Sequence, residues 1–238
     1  MKKTLKTTII LLVFLIIGVI IYLCSSNYKA EDDITSYLKS SEVVKVTKID
    51  EGYFFDGEGT TSAIVFYPGG KVEYISYAKL MYELAEKGID TFLIEMPFNL
   101  AVFDIDKADI IIEQYKYNNW YIVGHSLGGA MACNYATKNY DKLSGVITLA
   151  AYPTSKLPDK LQYISFYGSE DLVINKTKYN DSKSLWPKIQ QEYVIEGGNH
   201  ANFGNYGKQK GDGKAKITKE EQQKIVIDKI YENLILID

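Results

Sequence analysis

The chain has 238 residues, 46% of them hydrophobic and 24% charged, an ordinary globular composition that allows one domain with a substantial core. A formal net charge of −3 without a basic cluster argues against a nucleic-acid surface, so no nucleic-acid partner is expected. Only two cysteines occur, Cys24 and Cys133, and no Cys–His spacing suits a metal; neither a disulfide nor a metal site is expected.

Lys2, Lys3 and Lys6 precede an apolar run at residues 9–24, broken only by Gly18 and Tyr22. Flank and run together predict a membrane segment over residues 1–24, with the following chain on the extracytoplasmic side by the positive-inside rule. An uncleaved signal anchor is the favoured outcome. Cleavage after Ser26, giving a secreted protein, and lipidation at Cys24 compete with it. Residues 25–41 are polar and read as a linker with a short helix, and residues 42–238 as one folded domain.

Within that domain, residues 43–49 alternate apolar and polar side chains, and Tyr53-Phe54-Phe55 follows after Gly52, which predicts an antiparallel hairpin at a sheet edge. Residues 63–67 are continuously apolar, the pattern of a strand buried on both faces and paired in parallel. After Pro68-Gly69-Gly70-Lys71 comes an amphipathic helix over 75–87 with Gly88 at its C-cap; Glu73 reads as a helix-start carboxylate favoured by the dipole, with a pocket acid as the alternative. A strand at 89–95, an apolar loop at 96–103 and a helix at 105–117 lead to a β-branched and aromatic strand at 120–123. That strand runs into Gly124-His125-Ser126-Leu127-Gly128 and a helix to about Lys138. Strands at 143–150, 161–167 and 189–195 follow, the second trailed by Glu170 and Asp171 and the third by a Gly-rich segment ending in His200. A final amphipathic helix over 218–236 opens with a capping-box pair, Thr218 and Glu221. Such alternation predicts an α/β fold with a doubly wound, mostly parallel sheet, without a large cap domain, and with ligands held outside the carboxyl ends of its strands.

Strand, sharp turn and helix around Gly124 to Gly128 form the context of a nucleophile elbow. The turn raises a serine hydroxyl above the sheet, and glycines are needed two residues either side because a Cβ there would clash. Ser126 is the candidate nucleophile. Of two histidines, His125 is adjacent to it and reads as a packing or hydrogen-bonding residue, so His200 is the candidate base. Asp171 is the carboxylate expected to orient that imidazole, with Glu170 ranked second. The oxyanion is expected at the Leu127 N–H, completed by Gly70 or Lys71 from the loop after the 63–67 strand. Phe98 and Phe103 on one side, with Phe203 and Tyr206 on the other, are expected to wall a substrate pocket; the last two would equally serve to pack their loop down. Gly211-Asp212-Gly213 lacks the carboxylates a calcium loop requires.

The segments Phe66 through Glu73 with Tyr77, Met96 through Phe103, the elbow, Tyr167-Gly168-Ser169-Glu170-Asp171, and His200 through Gly213 resemble a family of small bacterial α/β-hydrolases near the dienelactone-hydrolase-like group. The resemblance spans roughly residues 63–223. It implies an α/β-hydrolase fold with Ser126, Asp171 and His200 as nucleophile, acid and base; no cofactor is expected. Dienelactone hydrolases themselves use a cysteine nucleophile, and here the residue is serine. The expectation is a serine hydrolase held at the outer side of the membrane by residues 1–24 and acting on a small carboxylic ester or related acyl compound. A non-catalytic binding or scaffold protein on the same fold is the competing reading.

Overall fold

The computed structural model describes residues 6, 8–9, 11–15, 17–18, 27–59 and 61–235. Eight strands form one sheet: β1 (Lys45–Ile49), β2 (Gly52–Asp56), β3 (Ser62–Tyr67), β4 (Asp90–Ile94), β5 (Asn119–His125), β6 (Gly145–Leu149), β7 (Gln162–Gly168) and β8 (Ile189–Ile195). Their order is β1-β2-β4-β3-β5-β6-β7-β8. The β1–β2 and β2–β4 pairs are antiparallel and all others parallel.

Period-two alternation divides the core between the two faces of the sheet. In β3, Ile64 and Phe66 enter one cluster, with α1 (Ala78–Glu86) and the C-terminal α5 (Lys219–Ile235) packed over it through Leu80, Met81, Leu84, Val226, Ile227 and Ile230. Ala63, Val65 and Tyr67 enter the other, beneath α2 (Ala108–Gln114), α3 (Leu127–Lys138) and α4 (Lys176–Asp181). β3 connects leftward in the sheet to β4, and β5 connects rightward to β6. The carboxyl ends of the adjacent β3 and β5 therefore form the point where strand order reverses, the place where open α/β sheets bind ligands.

Several elements differ from expectation. The helix expected at 75–87 begins as a 3₁₀ turn, Tyr74–Tyr77, before α1. The helix expected at 105–117 starts in the same way and ends at Gln114, since Tyr115 is already extended. Glu73 caps nothing on that first turn; its Oε2 accepts the Ala30 N–H at 2.9 Å. The crossover between β7 and β8 contains α4, a short polar helix whose capping Asn175 accepts the Lys178 N–H.

The N-terminal expectation is corrected. Among the described residues no helix is long and apolar enough to cross a membrane. The single-pass topology, the membrane as a partner and the extracytoplasmic placement go with it. Cys24 and Ser26, on which lipidation and cleavage would turn, lie outside the described residues.

Candidate active site

Ser126 sits at φ 50°, ψ −121°, between the last residue of β5 and the first of α3. Only close packing on all sides holds a serine in so sparsely populated a conformation. A Cβ on Gly124 would lie 2.6 Å from the carbonyl group of Gly128, and one on Gly128 would lie 2.2 Å from the Pro68 carbonyl oxygen. The Ser126 N–H is tied to the Leu149 carbonyl of β6 at 2.9 Å, so neighbouring strands fix the turn from both sides.

His200 is 1% exposed and Asp171 fully buried. His200 Nδ1 stands 2.8 Å from Asp171 Oδ2. A carboxylate accepts, so Nδ1 carries the proton and Nε2 keeps its lone pair; that Nε2 has no hydrogen-bond partner among the described residues. Asp171 Oδ1 accepts the Val173 and Ile174 N–H groups at 2.8 and 2.9 Å, which fixes the carboxylate plane. Glu170 points elsewhere: its carboxylate pairs with Lys216 at 2.7 Å, which draws its pKa below the ordinary carboxylate value. Ser126 and His200 line the same cleft, of about 340 Å³.

The loop after β3 is pinned peptide by peptide. Pro68 has no N–H, the Gly69 N–H donates to Tyr77 Oη at 3.1 Å, and the Lys71 N–H donates to the Asn99 carbonyl at 2.8 Å. Lys71 is therefore engaged, leaving Gly70 as the loop's N–H without a partner among the described residues. Gly70 lies against Leu127, where a Cβ would come 2.8 Å from Leu127 Cδ2. The Leu127 N–H opens α3 and has no carbonyl within its own helix to bond.

The family model described as "Alpha/beta hydrolase family" matches residues 63–224, more than half of the chain. The chain belongs to the alpha/beta hydrolase family. No curated protein sequence matches this hydrolase. Among solved structures it is similar to a predicted CIB-like hydrolase from Thermoplasma acidophilum, at 16% identity and TM-score 0.56, covering 80% of this chain and 99% of that one. It is likewise similar to dienelactone hydrolase from Anabaena variabilis, at 14% identity and TM-score 0.56, covering 78% and 96%. At such identities the likeness is one of fold.

Of the aromatic residues expected near the hydrolase's pocket, Phe203 and Tyr206 follow the alternative of packing their loop down, and Phe98 and Phe103 lie off the cleft. Phe203 is fully buried and Tyr206 5% exposed; their rings pack on His125 at 5.7 and 6.3 Å, inside the core rather than at the cleft. Phe98 and Phe103 meet edge to face at 5.8 Å and stay exposed, away from the cleft lining. The walls come instead from Tyr152 and Thr154 after β6, and from Val173, Ile174 and Asn175 after β7. The strand reading held a signal for these, since the two segments follow the carboxyl ends of β6, beside β5, and of β7, one strand further along.

Two further supports escaped sequence reasoning. Asp212 accepts N–H groups from His200 at 3.3 Å and from Ala201 and Gly213 at 2.8 Å. Gln222, wholly buried in α5, exchanges two hydrogen bonds with the Asn199 backbone at 2.8 and 2.9 Å. Among the described residues no three His, Cys, Asp or Glu side chains converge as metal ligands would.

Proposed function

We propose that this hydrolase is a serine enzyme that cleaves a small carboxylic ester, or a related acyl compound, through an acyl-enzyme, and that it falls near the dienelactone-hydrolase-like group of its family. In this reading Ser126 Oγ attacks the substrate carbonyl carbon while its proton passes to His200 Nε2. Asp171 holds the imidazole in the Nδ1–H tautomer and stabilises the imidazolium that forms. The carbonyl oxygen, now negative, accepts from the Leu127 and Gly70 N–H groups. His200 returns the proton to the leaving alcohol, and the acyl group stays on Ser126. Water then repeats the sequence, giving up a proton to His200 and releasing the acid.

The observation that carries the reading is the Asp171–His200 pair, with an unpartnered Nε2, in one cleft with a serine held at positive φ. The cleft's lining carries no charged side chain among Leu127, Ala130, Ala150, Tyr152, Thr154, Val173, Ile174 and Asn175, which suits a neutral acyl substrate. A fluorophosphonate probe should label the wild type and leave Ser126→Ala unlabelled, and a graded panel of p-nitrophenyl esters, thioesters and amides should turn over only with the wild type. Equal esterase activity in the two proteins would sink the proposal.

A further inference from the structure

Between the loop after β3 and the loop of His200 lies a buried pair of side chains that the proposed chemistry does not use. Tyr77 and His125 are both 0% exposed. Tyr77 Oη accepts the Gly69 N–H at 3.1 Å and stands 2.8 Å from His125 Nδ1. Tyr77 Oη already accepts from Gly69, so its own single proton is free for Nδ1; that assignment has Tyr77 donating to His125 and puts the ring's proton on Nε2, a buried atom with no hydrogen-bond partner among the described residues. Burial together with the nearby His200 holds that imidazole well below its ordinary pKa, consistent with a neutral ring. The ring centroids of His125 and His200 are 4.6 Å apart.

Close packing keeps the three groups in register. A Cβ on Gly69 would lie 2.7 Å from both His125 Nδ1 and Tyr77 Oη, so the loop backbone rests directly on the pair. Gly69 holds two fixed points. Its N–H is on Tyr77, and its carbonyl accepts the Val72 N–H at 3.2 Å. The peptide linking Gly69 to Gly70 is planar and trans, so with its carbonyl turned toward Val72 the Gly70 N–H points the opposite way. The bond to Val72 thus orients the Gly70 N–H, and the hydrogen bond to Tyr77 anchors the peptide immediately before it, from which that unit hangs.

We propose that Tyr77 and His125 are positioning residues, a buried phenol–imidazole relay that aligns the Gly70 N–H with the nucleophile turn and with the loop of His200. The inference rests on the hydrolase reading above, in which Gly70 and Leu127 receive the oxyanion. His125 belongs to the elbow strand and adjoins Ser126, so the relay connects the oxyanion loop to the nucleophile through side chains rather than through the sheet.

The test compares Tyr77→Phe, His125→Asn, His125→Leu and, as a control, Tyr163→Phe, whose buried hydroxyl bonds Thr148 instead. Tyr77→Phe keeps the ring but leaves the Gly69 N–H without an acceptor. Its kcat on a p-nitrophenyl ester should fall about 10- to 50-fold with KM little changed, short of the ~10²–10³ that loss of a whole oxyanion donor costs. The rate of fluorophosphonate labelling should fall in parallel, because the phosphonyl oxygen occupies the same donors. His125→Asn places an amide oxygen where Nδ1 stood and should keep most of the activity that His125→Leu loses. Tyr163→Phe should match the wild type at a temperature where all variants are folded by circular dichroism. Wild-type kcat in folded Tyr77→Phe, or equal activity in the Asn and Leu variants, overturns the relay while leaving the hydrolase reading intact. A wild type that neither labels nor turns over overturns both.

Discussion

At Asp171 both carboxylate oxygens are engaged, one by the His200 imidazole and the other by two backbone N–H groups. An amide at this position could satisfy one set only by failing the other. Asp171→Asn should therefore present the wrong group to Nδ1 and shift the proton to Nε2, where it blocks the attack on Ser126. On the proposed mechanism kcat should fall on the order of 10⁴-fold with the fold intact. Glu170 is one residue away, but its carboxylate reaches out to Lys216. Glu170→Gln should keep kcat within about twofold, because an exposed pair of this kind contributes little. Steady-state kinetics on one ester separates the two residues, and the reverse ranking would remove Asp171 from its assigned place. Which of the adjacent acids faces the histidine could be read only as a preference from sequence, because it depends on how the chain turns after β7. Ser126 was more legible: the glycines around it are demanded by backbone contacts that any such elbow must make.

Among the elements, the segment before the sheet does more than link. Tyr28 pairs with the loop after β3, donating to the Lys71 carbonyl at 2.7 Å and accepting the Glu73 N–H at 2.9 Å. The Glu31 N–H reaches the Asn205 carbonyl in the loop that follows His200, and the Lys210 N–H reaches Tyr28 Oη. Residues 27–31 thus strap together the loops that carry the proposed oxyanion donor and the base. A chain begun at Asp32 loses these bonds, while one begun at Asn27 keeps them. At ~1 kcal/mol for each net hydrogen bond, the shorter form should be less stable by about 2–4 kcal/mol, lowering Tm by about 5–15 °C for a domain of this size. Thermal unfolding of the two forms checks it, and superimposable transitions would show the strap to be idle. None of this was legible in the polar composition of 25–41, which reads as a linker because no periodic apolar face announces docking. The buried parallel strands were legible for the opposite reason, since a strand covered on both faces must be apolar throughout. The short α4 has too few apolar positions for a period to show, with Tyr179 its one buried side chain.

Over the whole molecule, the topology brings together loops that are far apart in sequence at the point where β3 and β5 connect in opposite directions. The core is built underneath them. One consequence is that a histidine, His125, lies wholly inside the domain beside a second histidine, in contact with Tyr77, Phe203 and Tyr206. Protonating it would place a charge in an apolar interior with no carboxylate on its ring, and its pKa in the folded state is accordingly well below the ordinary imidazole value. The sign follows from linkage. Below the unfolded pKa of about 6.5 the unfolded chain takes up a proton that the folded chain refuses, so stability is full above that pH and falls as pH drops beneath it. The slope approaches ~1.4 kcal/mol per pH unit for this one group. Urea unfolding at pH 7.5, 6.5, 5.5 and 5.0 should therefore show a decline that begins near neutrality in the wild type. In His125→Asn, which has nothing to protonate at that position, the curve should be flatter across the same window. Parallel curves for the two proteins would mean that His125 accepts its proton without unfolding, and that the interior around Ser126 is wetter or more yielding than its packing indicates.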